Sequence, residues 1–187
     1  MVPMIQRDEA VKLLQKYLRT EKIQQHSLAV EAILRSMARK LHEDEELWGL
    51  VGLLHDIDYE YTKDEPEKHT QMTAQLLEEL LPPEGIEAIK AHNFKHTAHL
   101  PTTALDRALI AADAVSGLVI ATALVVPSKK LADVKPETLL NKFNDKSFAI
   151  RCERKRIELC NDTGFDVNMF LELSLTALQE IADKLNM

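Results

Sequence analysis

Two aspartates and two of the chain's seven histidines sit where helical periodicity turns side chains toward apolar neighbours. His26 shares a helical face with Val30, Ile33, Leu34, Met37 and Leu41. His55 and Asp56 close a stripe of Leu50, Val51, Leu53 and Leu54, and Asp113 shares its face with Leu109, Ile110, Gly117 and Ile120. A single inward histidine is more often a satisfied core residue than a ligand, but buried carboxylates change the balance. An unpaired one costs several kcal/mol, so each needs a cation, a protonation shift or a dense hydrogen-bond shell. One shared divalent ion would satisfy both aspartates, with neutral imidazole and ionised carboxylate as the binding forms. The competing account of Asp113 is a buried salt bridge. Arg107, six residues earlier on a different part of the helix, is a poor partner for it. Gly52 and Gly117 flank these positions at helical spacing; they would permit close helix approach and leave room for an ion, or serve ordinary packing.

The elements that must hold these residues read as helices almost throughout, so the chain is expected to be all-α. A first helix is predicted over about Asp8 to Leu18 and a second over Lys22 to His42. A third, capped by Asp44, runs through Asp56. Tyr59 to Glu65 reads as a polar loop. Pro66 suits the first turn of a fourth helix to about Leu81, stopped by Pro82-Pro83, and a short fifth covers Glu84 to His92. Asn93 to Thr103, which holds Lys95, His96 and His99, lacks a period and reads as an irregular loop. Thr103 opens a long helix to about Val126, apolar nearly all round, which is expected to be the central buried element. Three further helices are expected near Glu137 to Phe143, Phe148 to Cys160 and Asp166 to Leu185.

A chain of 187 residues with 45% apolar content can bury one sizeable core, so a single domain over 1–187 is expected. Its net charge of -7 argues against a general nucleic-acid binder, and five glycines argue against a Gly-rich phosphate loop. The charge is unevenly spread. Residues 128–160 carry nine basic against five acidic groups, a local +4, and Arg154-Lys155-Arg156 within them reads as a solvated helix face. Cys152 and Cys160 match no paired metal or redox spacing and fit a reduced, cytoplasmic protein. The segment MVPMIQRDEA lacks the apolar run of an export signal, and Ala114 to Ser128 reads as a buried helix, so no membrane is expected.

The order His26, then His55-Asp56, then Asp113 resembles the HD superfamily of metal-dependent phosphohydrolases. "QQHSLAVEAILRSMARKL", "WGLVGLLHDIDYE" and "DRALIAADAVSGL" look like its metal-binding helices, and the resemblance covers about residues 20 to 125, with 126–187 as a helical extension packed on that core. The resemblance implies a helical bundle with His26, His55, Asp56 and Asp113 around one divalent ion. Fe, Mn, Mg, Co, Ni and Zn are not distinguished. Some members add two histidines for a second ion; His69 and His92 resemble them, with Asp56 then bridging. Periodicity agrees, since His69 shares a face with Met72, Thr73, Leu76 and Leu77, and His92 with Ala88 and Ile89. Two features depart from the pattern. Asp58 stands where many relatives have the Gly of HDIG, and "FKHTAHLP" is not the GYP signature of the cyclic-dinucleotide branch.

The implied activity is hydrolysis of a small phosphorylated substrate, a nucleotide or other phosphate ester, by a metal-activated hydroxide. Asp56 and His96 are the expected catalytic residues, His96 as a proton donor to the leaving group. Lys95, Arg107, Lys129, Lys130 and Arg151 are candidate substrate-binding cations, and part of the basic segment is expected to fold over the site. Two rival readings are an HD-type di-iron oxygenase and a nucleotide-sensing module without turnover. The oligomeric state is open.

Overall fold

Capping residues set the helix boundaries around the functional positions. In the computed structural model, which describes residues 4–187, α1 spans Arg7–Tyr17, α2 Glu21–Leu41, α3 Glu45–Leu54, α4 Tyr59–Thr62 and α5 Gln71–Leu77. They are followed by α6 at Pro83–His92, α7 at Ala104–Val125, α8 at Pro136–Asn144, α9 at Arg154–Ile157 and α10 at Val167–Glu180. Three 3-10 turns, Leu131–Asp133, Glu158–Thr163 and Ala182–Leu185, complete an all-α fold with no strand among the described residues. The expected reading of the N-terminal segment falls partly on residues 1–3, outside the described residues.

Asp44 caps α3 by accepting the backbone N–H groups of Glu46 and Leu47, both at 3.0 Å. α7 opens with a reciprocal box: Thr103 Oγ1 accepts the Asp106 N–H at 3.1 Å while Asp106 Oδ2 accepts the Thr103 N–H at 2.8 Å. Such caps satisfy donors that a helix start leaves open, each contributing on the order of 1 kcal/mol.

α7 lies at the centre, packed by α2, α6, α8, α9, α10 and the 158–163 turn. It is long and apolar enough to cross a bilayer, yet most of it is buried inside the fold. The buried apolar residues form one continuous cluster running from Ala10 to Leu185, and the C-terminal helices close the bundle against α7 and α2. The most extensive helix packing is α2 on α3. A Cβ at Gly52 would lie 2.9 Å from Glu31 Cα, Glu31 N and Val30 O, so only glycine lets the two backbones meet. Gly52 therefore serves packing and leaves no room for an ion. Gly117 likewise faces Cys152 Sγ, 3.1 Å from where its Cβ would be.

Three expected elements differ. The helix expected from Pro66 begins only at Gln71, because the carbonyls of Pro66 and His69 accept from Asn93 Nδ2 at 2.8 and 2.9 Å instead of continuing a helix. Thr70, at φ 76°, turns the chain into α5. The expected loop at Tyr59 contains the single turn α4, tied down by the Thr62 hydroxyl donating to Asp58 O at 3.0 Å. The helix expected from Phe148 starts at Arg154, whose guanidinium collects the carbonyls of Lys142, Phe143, Asp145, Phe148, Ala149 and Cys152. Those of Asp145, Phe148, Ala149 and Cys152 thus end on a side chain rather than in a continuing α-helix.

Candidate metal centre

Three helices and two turns converge on one point. α2 supplies His26; the turn ending α3 supplies His55 and Asp56; the turn before α5 supplies His69; α6 ends on His92; α7 supplies Asp113. His26 Nε2 lies 3.1 Å from Asp113 Oδ1 and 3.8 Å from Asp56 Oδ2. Asp56 Oδ1 is 3.5 Å from His55 Nε2, 3.2 Å from His69 Nε2 and 3.3 Å from His92 Nε2. His69 Nε2 and His92 Nε2 are 3.3 Å apart. All six residues expected as ligands are thus brought together.

The outer edge of every ring is already committed. His55 Nδ1–H donates to Gly52 O at 2.8 Å and His92 Nδ1–H to Ile89 O at 3.0 Å. His69 Nδ1–H donates to Asp58 Oδ1 at 2.7 Å. The Ser116 hydroxyl donates to Asp113 O at 2.8 Å, so its oxygen accepts His26 Nδ1–H at 3.2 Å. With Nδ1 protonated, each neutral ring presents an Nε2 lone pair to carboxylate oxygens. Lone pairs facing lone pairs repel unless a cation stands between them.

Protons can fill that role only in part. Burial opposes charge on His69, but Asp56 and Asp58 outweigh it and raise its pKa to about 10. Burial likewise opposes charge on His26, where Asp113 prevails and raises it. Burial wins at His55, pushed down to about 4, so that ring stays neutral. Asp56 is held well below the usual carboxylate range, against the effect of its burial, by the surrounding imidazoles. What remains is a buried His55 Nε2 and a buried Asp56 Oδ1, neither with a hydrogen-bond partner. A divalent cation accepts both. The donor atoms fall into two groups that could each hold an ion, His26–His55–Asp113 and His55–Asp56–His92, with His69 beside the second. Imidazole and carboxylate together suit a divalent transition metal or zinc.

Asp58, the departure from HDIG, was absent from the expected site. It is fully buried, orients His69 through Oδ1, and anchors its own Oδ2 on the Thr73 N–H at 3.0 Å. A carboxylate behind a ligating histidine fixes its tautomer and raises its basicity. Asn93 works on the same residue from the other side, its amide bonds to Pro66 O and His69 O pinning the turn that carries His69 to the end of α6.

A cavity of about 280 Å³ opens over Asp56, His69, His92 and Asp113, with Tyr59, Lys63, His96 and Arg156 on its walls. A larger groove, about 650 Å³, lies between α2 and α10 but is lined by no histidine or aspartate. Of the cations expected to bind substrate, none lines the cavity over the metal centre. Lys95 is paired with Glu153. Arg107 folds back onto Thr102 O and Thr103 O at 2.9 and 3.1 Å and faces Asp162. Lys129, Lys130 and Arg151 are exposed in turns elsewhere. His99 pairs with Glu87 at 2.9 Å, whereas His96 sits exposed on the rim. The basic segment does reach the site, but through Arg156. Its Nη2 lies 2.7 Å from Asp113 Oδ2 and 3.3 Å from His92 O. So Asp113 does have the salt-bridge partner that α7 could not supply, and it comes from α9.

The HD domain family model matches residues 23–118, from α2 through most of α7, and covers all six converging ligands. The chain belongs to the HD domain family, a superfamily of metal-dependent hydrolases. Asp58 lies inside the matched region and Arg156 outside it. No curated protein and no solved structure gives a match.

Proposed function

We propose that the protein hydrolyses a small phosphorylated substrate, a nucleotide or other phosphate ester, in the cavity over Asp56. The observation that carries this reading is the convergence of four imidazole lone pairs and two carboxylates on the floor of an open cavity, with His55 Nε2 and Asp56 Oδ1 left without partners. His26, His55 and Asp113, joined by Asp56, would hold one ion, and Asp56, His69 and His92 the second. When bound, such ions acidify a water molecule and neutralise phosphoryl oxygens.

The chain's own residues do the rest. Asp56 turns Oδ1 toward His69 and His92 and Oδ2 toward His26, so it would be the ligand common to both ions. Asp58 and Asn93 hold His69 in register with His92. His96, free on the rim, donates a proton to the leaving-group oxygen as the P–O bond breaks. A cavity of about 280 Å³ suits a small ester rather than a polymer, in keeping with a net charge of -7 that disfavours nucleic acid. The cysteines Cys152 and Cys160 are free, which suits the cytoplasm.

The test is metal quantification on protein purified without added ions, followed by an aerobic and anaerobic screen of nucleotides, monoesters and diesters for phosphate or ester cleavage. The expected result is one or two divalent ions per chain and hydrolysis that does not depend on oxygen. Turnover that stops without dioxygen would assign the site to a di-iron oxygenase. Ligand binding with no product across the panel would make it a sensing module. Either outcome overturns the proposal.

A further inference from the structure

Arg156 makes an unusual third party to the centre, and its surroundings do not account for all of it. Nη2 alone serves the protein, meeting Asp113 Oδ2 at 2.7 Å and His92 O at 3.3 Å. Nη1 has no hydrogen-bond partner among the described residues and is not buried, and Arg156 lines the cavity over Asp56. Nε is buried and has no hydrogen-bond partner among the described residues, a placement that is costly. If neutralising Asp113 were its whole task, the guanidinium would become a liability on metal loading. Asp113 Oδ1 faces His26 and the first ligand group, so an ion there and the guanidinium would sit on the two oxygens of one carboxylate, two cations in mutual repulsion at short range. An anion spanning both removes that repulsion. A planar guanidinium is well matched to phosphoryl oxygens.

We infer that Arg156 is the fixed phosphate-binding residue of this site: its Nη1 grips a non-bridging phosphoryl oxygen of the substrate while Nη2 stays locked on Asp113. The inference rests on the phosphohydrolase reading and deepens it, because it assigns the substrate a terminal or exposed phosphoryl group that docks between the ions and α9. It also gives the C-terminal extension a role. The residues that would hold the metals lie within 23–118, whereas the cation that would hold the substrate arrives from outside that span. Lys63 also lines the cavity, but it is exposed and has no ion-pair partner to fix it among the described residues.

The test uses inorganic phosphate as probe, titrated calorimetrically into metal-loaded wild-type protein, Arg156→Ala and Arg156→Lys, with metal content measured in each. The expected result is that Arg156→Ala keeps its ions and loses phosphate affinity by roughly 10- to 100-fold. Arg156→Lys, which keeps the charge without the fork, recovers only part of it, and free guanidinium restores phosphate binding to the alanine variant. Phosphate affinity within twofold of wild type in Arg156→Ala overturns the inference. So does loss of metal from both variants, which would reduce Arg156 to a support for Asp113. The hydrolase reading fails separately: if the wild type cleaves no ester yet Arg156→Ala still loses phosphate affinity, the clamp stands and the activity does not.

Discussion

Replacing Asp58 by Asn changes one atom's chemistry without changing volume, in a position that is fully buried. The carboxylate accepts on both oxygens, from His69 Nδ1 at 2.7 Å and from the Thr73 N–H at 3.0 Å. An amide accepts on one side only. If its oxygen stays on His69, its NH2 meets the Thr73 N–H, donor against donor, and the folded protein loses about 1–3 kcal/mol. If its oxygen turns to Thr73, the NH2 faces His69 Nδ1, which must then accept. The ring proton moves to Nε2, where His69 meets Asp56 Oδ1 at 3.2 Å and where a metal would bind. Either way a negative charge behind His69 is gone. Loss of such a supporting carboxylate weakens metal binding by about 10- to 100-fold, which is roughly 1.4–2.8 kcal/mol. The effect should be confined to the ion served by His69 and His92, since His26, His55 and Asp113 have their own supports in Ser116, Gly52 and Arg156. Metal titration by calorimetry, alongside urea unfolding of the ion-free protein, reads both quantities. Asp58→Asn with wild-type affinity for every ion and wild-type ion-free stability would refute the reasoning.

Other consequences follow from the same geometry. Asp56→Ala removes the carboxylate that faces all four histidines and should abolish metal binding and turnover together, measured by elemental analysis and phosphate release. Chelation should lower the melting temperature of the wild type and re-addition of a divalent metal should restore it, because a ligand bound only by the folded state stabilises it. Gly52→Ala forces α2 and α3 apart, its Cβ meeting backbone atoms at 2.9 Å; overpacking of this kind costs about 1–3 kcal/mol, a melting point lower by roughly 2–12 °C. Burial opposes ionisation of Asp106, but hydrogen bonds from Thr103 and Thr102 prevail and depress its pKa. Its contribution is therefore present above the unfolded value near 3.9 and is lost as pH falls through the folded value. The stability gap between wild type and Asp106→Asn should be full at pH 7 and should shrink below about pH 4.

The helices and the inward positions of His26, His55, Asp56, His92 and Asp113 were legible because burial and periodicity speak together there, whereas His69, in the turn before α5, was indicated by the resemblance and not by the helical face assigned to it. His26 and Asp113 are polar residues at apolar phases of strong helices, Asp56 follows directly on the apolar run of α3, and α7 is apolar nearly all round. Asp58 was hidden by the turn it sits in. Between α3 and α4 the chain has no period, so nothing in the spacing says whether Asp58 points to solvent or to a residue eleven positions later. Its partner His69 stands in a second irregular turn, whose shape depends on Asn93 from the end of α6. That is tertiary information, and no local pattern carries it.

The run Arg154-Lys155-Arg156 shows the limit most sharply. As a continuous solvated face the three residues would be interchangeable, and the fold gives each a different fate. Arg154 takes six carbonyls from the end of α8 and the loop after it, Lys155 stays exposed, and Arg156 reaches the cavity over Asp56 and Asp113. The first of these causes the third. With its carbonyls tied to Arg154, the 145–152 segment does not continue as helix, α9 is delayed to residue 154, and the helical phase that places Arg156 against Asp113 begins there. Arg154→Ala should therefore affect the site without touching it. The freed loop carbonyls would let α9 shift, Arg156 would lose its aim, and phosphate affinity should fall with that of Arg156→Ala while the ions remain bound. If Arg154→Ala unfolds the C-terminal segment but leaves phosphate affinity intact, the coupling between the two arginines is wrong.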